Sequence, residues 1–283
     1  MLSYNHGYHA GNHADVLKHI CWAIAIEYLK KKPKPFTLFD THGGAGEYRL
    51  DSDQAIKTQE YLTGISKLAG QAVSSAAASA YLAVCKPLWD RQIYPGSPSL
   101  ASELIREDDR LVVMEMHPGE AERLQAVMGS KRNSNNIAVH YRDGFEGLMA
   151  MVPPRLNRGA ILIDPPYERL DEYQSVLTLV SGVLKKWRNA QIIVWYPLLS
   201  KRAGEKSGAS ENMCNDISLI SVPVLTAELI VNSKDDDSGM YGSGMCIVNP
   251  SWNMDKEIAE ALSDITPALG DTVSSSVKWL RKE

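Results

Sequence analysis

The sequence predicts an α/β fold built on a mainly parallel sheet with helices on both faces. Short apolar runs alternate with segments of helical periodicity along most of the chain, which is the pattern of strand, crossover helix and parallel strand. The last two apolar runs are joined by a polar loop too short for a crossover helix, which predicts an antiparallel strand at one edge. A chain of 283 residues, 44% hydrophobic, is long enough for one large α/β domain or one domain carrying an insertion.

The elements follow in order. A first helix runs from about Ala14 to Lys32, with Val16, Leu17, Ile20, Ala23 and Ile24 on one stripe and a lysine-rich end before Pro33. Lys18 and His19 fall at the exposed edge of that stripe. The first strand is "FTLFD" (36–40). The stretch that follows, including "SSAAASAYLAV", looks helical throughout with no strand run. It is read as a helical insertion subdomain, 47–94, within a main domain of 1–46 and 95–283. "YPGSP" (94–98) marks the return. Strands then come at "RLVVME" (110–115), "IAVHY" (137–141), "GAILID" (159–164) and "QIIVWY" (191–196), with helices near 119–129 and 172–188. Two late runs, about 217–231 and 243–249, flank "NSKDDDSGMYGS", and a helix near 255–263 follows.

Composition narrows the function classes. Lys and Arg total 30 against 34 Asp and Glu, so nucleic-acid binding requires a local basic face. The first residues, "MLSYNHGYHAGNHADVLKHI", lack a charged n-region followed by an apolar core, and polar residues interrupt every apolar run. Cys21, Cys85, Cys214 and Cys246 are scattered without a CxxC and read as buried or idle thiols of a reducing compartment. A soluble cytoplasmic protein is expected, with no membrane partner. His6, His9, His13 and His19 have no cysteine or acid pair at metal spacing, so they read as a polar lid or capping segment and no metal is expected. No coiled-coil heptad or apolar edge demands a dimer, so the expected state is a monomer.

In an open parallel sheet, ligands bind beyond the carboxyl ends of the strands. "DTHGGAG" follows the first strand, and its glycines, Gly44 among them, let a ligand approach the backbone closely. Glu115 ends the second strand, where an acid commonly accepts from both hydroxyls of a ribose. Asp143 in "RDGF" follows the third, placed to accept from an exocyclic amine or to cap the next helix. Each signal is weak alone; together they suit an adenosine-bearing cofactor. Nothing matches GxxxxGK[ST], and the glycine turn lacks a full GxGxxG.

The fourth strand ends on "DPPY". Asp164 points its carboxylate into the cleft, and Pro165 and Pro166 hold the turn rigid while leaving backbone carbonyls free. Tyr167 offers a flat face. Such a site receives a planar amino group, whose lone pair is delocalised into its ring. Two acceptors binding its hydrogens favour a pyramidal nitrogen and free that lone pair.

"DPPY" after "DTHGGAG" and an acid-ended second strand resembles the S-adenosylmethionine-dependent amino-methyltransferases with the [DNS]PP[YFW] motif. Together with "MLSYNHGYHAGNHADVLKH", "YPGSP", "ILIDPPYE", "WYP" and "SGMCIVNP", the chain is similar almost end to end to the RlmJ family of bacterial 23S ribosomal RNA adenine-N6 methyltransferases. Gly43 and Ser251 depart from relatives, which carry other small or proline residues there. The resemblance implies a class I, Rossmann-like fold with a seven-stranded sheet and a small helical subdomain. It implies S-adenosylmethionine contacts from His19, His42, Gly44, Ser97, Glu115, Asp143, Gly144 and Asp164. Asp164 also acts on the target amine, while Tyr4, His6 and Lys18 fold over the site and help receive the adenosine. Tyr167 stacks on a base that has left its helix, with Pro165 and Pro166 beside it.

The implied reaction is a direct in-line displacement, with catalysis mainly from positioning and from the acceptors on the amine. Phosphate contacts are sought among Lys30, Lys31, Lys32, Lys34, Arg155, Arg158, Lys185, Lys186, Arg188, Lys201 and Arg202. Alternatives from the residues alone are methylation of DNA adenine or another exocyclic amine, an RNA-binding assembly factor without chemistry, and an NAD-dependent enzyme.

Overall fold

The structure, a computed structural model, describes residues 5–235 and 239–282. A 3-10 turn (His6–Tyr8) leads into α1 (His13–Lys30) and β1 (Thr37–Asp40). A ribbon of β2 (Glu47–Arg49) and β3 (Ile93–Pro95) closes off α2 (Asp53–Thr58), α3 (Ile65–Leu68) and α4 (Ala76–Trp89). After α5 (Ser97–Leu104) come β4 (Arg110–Glu115), α6 (Pro118–Gly129), β5 (Ile137–Tyr141), α7 (Gly144–Met151), β6 (Gly159–Ile163), α8 (Asp171–Lys186) and β7 (Gln191–Leu199). The last third holds α9 (Ala209–Ser218), β8 (Val224–Ile230), β9 (Met240–Val248), α10 (Met254–Leu269) and β10 (Ser274–Arg281).

The main sheet has the order β10-β8-β9-β7-β6-β1-β4-β5. Strands β5, β4, β1, β6 and β7 are parallel neighbours. The late pair is antiparallel: β9 lies between β7 and β8, and β10 adds an antiparallel edge strand beside β8. From β1 the chain builds outward through β4 and β5, then returns to lay β6 and β7 on the other side. The carboxyl ends of β1, β4 and β6 therefore meet at a switch point, where such sheets bind ligands. Apolar cores fill both faces, one under α1, α4 and α10 and the other under α8 and α9.

Several elements depart from expectation. The sheet gains an eighth strand, β10, whose "SSSVKWLR" is almost wholly exposed or half-buried and so shows no apolar run. Strands β2 and β3 lie at the two ends of the stretch expected to be helical; three residues each are too few for an alternating pattern. Helix α9 occupies the start of the run expected from 217, and β8 begins only at Val224. The largest correction concerns α1. It has no exposed edge: of its residues only Glu27, Tyr28 and Lys30 are not buried, because the sheet covers one side and α4, α5 and α10 the other. Lys18 and His19 are 4% and 0% exposed, not surface residues.

All four cysteines are buried free thiols. Among the described residues no helix is long and apolar enough to cross a membrane.

Candidate active site

A cleft of about 350 Å³ opens at the switch point. Its sheet side is built from strand-end acids that take hydrogen bonds from the backbone. Asp40, buried at the end of β1, accepts from the Ser97 hydroxyl (2.7 Å) and from the His42 N–H (3.2 Å). Burial pushes its carboxyl up to about 6, against the pull of those two bonds. Glu115 accepts from the Gly44 N–H (2.8 Å) on one oxygen and the His117 N–H (2.7 Å) on the other, tying the glycine turn to the start of α6. Gly44 has φ +56°, and a Cβ there would lie 1.9 Å from the Tyr48 hydroxyl, so the turn admits only glycine without rearrangement. Asp143 is the N-cap of α7, accepting from the Glu146 N–H at 2.8 Å. At Gly144 a Cβ would meet the Thr41 carbonyl at 2.0 Å. The His42 ring meets Phe145 edge-on at 5.5 Å, and burial pushes its imidazole down to about 4.

The helix side is an ionic chain. Lys18 Nζ lies 2.8 Å from Asp15 Oδ1 and 2.5 Å from Asp164 Oδ2. Asp15 Oδ2 accepts from the Gly11 N–H (2.8 Å) and sits 2.9 Å from His6 Nε2. Burial opposes charge on both Asp15 and Lys18. Their mutual attraction outweighs it, holding Lys18 above the usual ammonium range, with Asp164 helping, and Asp15, beside His6, well below the carboxylate range. Asn12 sets the start of this helix, its side chain accepting from the Ala14 and Asp15 N–H groups. His6 faces the Tyr48 ring edge-on at 5.0 Å. His19, which also lines the cleft, has its Nδ1 2.7 Å from the Tyr94 hydroxyl, while its buried Nε2 has no hydrogen-bond partner.

The turn after β6 corrects one expectation. Asp164, Pro165 and Pro166 line the cleft, but Tyr167 does not. It is 2% exposed, with its ring 4.5 Å from that of Tyr173 and its hydroxyl donating to the Trp195 carbonyl at 2.9 Å. Burying the ring against two aromatics and satisfying the hydroxyl outweighs exposing both. Tyr167 thus pins the turn: its φ of +48° is left-handed, a costly state for a bulky residue, and Lys206 Nζ donates to its carbonyl at 3.2 Å.

The structure therefore brings together His6, Lys18, His19, His42, Gly44, Ser97, Glu115, Asp143, Gly144, Asp164, Pro165 and Pro166 around one cleft. Tyr4 lies outside the described residues. Among the described residues no cluster of three or more His, Cys, Asp or Glu is placed to hold a metal ion. The expected phosphate contacts divide by topology. Lys30 to Lys34, Arg155, Arg158, Lys185, Lys186 and Arg188 all precede strands β1, β6 or β7, at the end of the sheet opposite the cleft. Several serve structure there: Lys186 donates to the Met149 carbonyl and Arg188 to that of Ser221. Only Lys201 and Arg202 follow a strand's carboxyl end. Sequence reasoning passed over Asp15, Asp40 and Glu120. Asp15 stands three residues before Lys18 on α1 and Asp40 ends a strand, so both had a positional signal; Glu120, in the first turn of α6, had none.

The comparisons with known proteins agree with one another. The family model RsmJ, described as "Ribosomal RNA large subunit methyltransferase D, RlmJ", matches residues 33–281. The chain is 38% identical over 291 positions to the ribosomal RNA large subunit methyltransferase J of Escherichia coli (strain K12), with 100% of both chains covered. It is 35% identical over 290 positions to that of Haemophilus influenzae, again over 100% of both. A crystal structure of a protein from Legionella pneumophila matches with TM-score 0.85 and 31% identity, covering 96% of this chain and 98% of that one. A probable spermidine synthase from Corynebacterium glutamicum shares the fold alone, at TM-score 0.51 and 10% identity, over 94% of this chain and 75% of that one. With the strand order, the cleft and full-length relatives in accord, the chain belongs to the RlmJ family of ribosomal RNA large subunit methyltransferases.

Proposed function

We propose that this protein transfers a methyl group from S-adenosylmethionine to the N6 amine of one adenine in 23S ribosomal RNA, by in-line displacement on a flipped-out base. The proposal includes a monomer acting in the cytoplasm, with 47–94 as a helical subdomain inserted in the methyltransferase domain.

The cleft fits such a methyl donor. His19 and Glu120 both line the cleft, and each has a buried atom without a protein partner, Nε2 and Oε2, as groups awaiting a polar ligand would. Gly44 and Gly144 line the cleft with bare backbone, since a Cβ at either would strike the Tyr48 hydroxyl or the Thr41 carbonyl. His19, His42, Gly44, Ser97, Glu115, Asp143, Gly144 and Asp164 would hold the donor, whose positively charged sulfur carries a methyl ready for displacement. Each Glu115 oxygen already accepts one backbone N–H and keeps a lone pair for a ribose hydroxyl.

The observation that carries the reading is the ion pair between Asp164 and the buried Lys18. Lys18 takes one oxygen of Asp164 and fixes the direction of the carboxylate. The other oxygen is left for the hydrogens of an incoming amine. Tied to an ammonium, Asp164 is a firmly held acceptor, which suits an amine that becomes acidic only as it is alkylated. The gain comes from orientation and from hydrogen bonds that strengthen as charge develops on nitrogen. With Tyr167 buried, stacking on the base falls to other surfaces of the cleft.

The test is to incubate the protein with unmodified 23S ribosomal RNA or duplex adenine-containing DNA and identify the methylated nucleoside by mass spectrometry. N6-methyladenine in the RNA alone is expected, with Asp164→Asn slower by about 10²–10³-fold, as for loss of one charge-stabilising acceptor. A different product nucleoside, or ordinary turnover by the variant, would overturn the reading.

A further inference from the structure

We propose that Tyr94 and Tyr81 are positioning residues for the methyl donor: they lock His19 in the tautomer that carries its proton on Nε2, so that it donates to the donor's amino-acid carboxylate. The inference rests on the S-adenosylmethionine reading and assigns a task to the segment 47–94, which supplies both tyrosines.

The three side chains form a buried row. His19 Nδ1 is 2.7 Å from the Tyr94 hydroxyl, and that hydroxyl is 3.1 Å from the Tyr81 hydroxyl. His19 and Tyr94 stack with ring centroids 5.6 Å apart at 21°, which fixes the imidazole plane. All three residues are 0% exposed, so no bulk water competes for these bonds. The direction of the row follows from acidity. A phenol is a much stronger donor than a neutral imidazole N–H, and an imidazole nitrogen is a stronger acceptor than a phenol oxygen. Tyr94 therefore donates to Nδ1 and accepts from Tyr81. With Nδ1 acting as acceptor, the ring proton sits on Nε2. Burial also pushes His19 down to about 3, so the ring stays neutral and has this single N–H.

That N–H is the one buried ring atom of His19 without a partner, and His19 is among the residues that line the cleft. Glu115 and Asp143, across the cleft, offer acceptors to hydroxyls and an amine. Lys18 and His19 offer donors instead. A ligand with an adenosine at one end and an amino acid at the other has one group that needs donors, its carboxylate.

The test compares S-adenosylhomocysteine with 5′-methylthioadenosine, which lacks the amino-acid end, by calorimetric titration of the wild type, Tyr94→Phe and Tyr81→Phe. Tyr94→Phe should weaken S-adenosylhomocysteine about tenfold, the worth of one hydrogen bond, and change 5′-methylthioadenosine less than twofold. Tyr81→Phe should act in the same sense by about threefold, and serves alone if Tyr94→Phe does not fold. Nitrogen-15 spectra of labelled histidine should show His19 as Nε2–H in the wild type and as mixed tautomers in Tyr94→Phe. Equal weakening of both ligands, no weakening, or a wild-type Nδ1–H would each overturn the inference. A wild type that binds neither ligand would overturn the methyl-donor reading beneath it.

Discussion

On the sheet side of the cleft, Asp40, Glu115 and Asp143 take hydrogen bonds mainly from backbone N–H groups; on the helix side, Asp15, Lys18 and Asp164 bind largely one another. Backbone donors are put in place by the fold and remain when one side chain changes. The ionic chain has no such reserve at its centre, because removing Lys18 takes the shared cation from two carboxylates at once. The sheet side should therefore fail locally and the helix side as a unit.

The sharpest way to break this contrast is at Lys18, which lies between two carboxylates. Lys18→Met should destabilise the fold by about 3–5 kcal/mol in urea unfolding and abolish methyl transfer. Adding Asp15→Asn should recover part of that loss, a coupling of about 1–3 kcal/mol in a double-mutant cycle. Additive effects of the two substitutions would mean that the chain is not a unit.

Acid should separate the walls next. His19 and His42 are held at about 3 and about 4, below the 6.5 of an unfolded histidine. Between those values and 6.5 the unfolded chain binds more protons, so stability falls as pH falls, by about 1.4 kcal/mol per pH unit for each ring. Asp40, raised to about 6 from 3.8, works the other way, gaining stability as pH falls through that window. Two rings outweigh one carboxyl, so urea midpoints should drop between pH 6.5 and 5, and His42→Gln should flatten the drop. A midpoint that rises toward pH 5 would refute this balance.

Glu115 tests the sheet side directly. Glu115→Gln keeps one oxygen for a backbone N–H but sets an amide NH₂ against the other donor. The expected cost is about 1–3 kcal/mol, read as weaker S-adenosylhomocysteine binding with little change in unfolding. A loss of stability as large as that of Lys18→Met would erase the distinction between the walls.

The same contrast explains what the sequence reveals. The sheet wall is legible because strand ends announce themselves: an apolar run stops, and the acid or glycine after it must stand at the sheet's carboxyl edge. Glu115 and Asp143 are found this way, and so is Asp164, the one member of the ionic chain that follows a strand. The helix wall is hidden because α1 is buried all round, and a helix without a polar face has no edge on which to place Lys18 or His19. Which partners a buried charge meets is decided by residues distant in sequence, here Asp164, 146 positions away. Tyr167 fails for a related reason. The "DPPY" turn is recognisable, but whether its ring faces a ligand or the core depends on Tyr173 and Trp195, which the motif does not mention.

The smallest expected effect is at Asp143, where one exposed carboxylate has two readings. As the cap of α7 it contributes about 1 kcal/mol, lost in Asp143→Ala and largely kept in Asp143→Ser, since serine caps as well. As an acceptor for the exocyclic amine of the bound adenosine it is replaceable by neither. If it serves both purposes, the serine variant should unfold like the wild type yet bind S-adenosylhomocysteine several-fold more weakly. Wild-type affinity in the serine variant would reduce Asp143 to a helix cap and leave the adenine amine to be recognised elsewhere on the sheet wall.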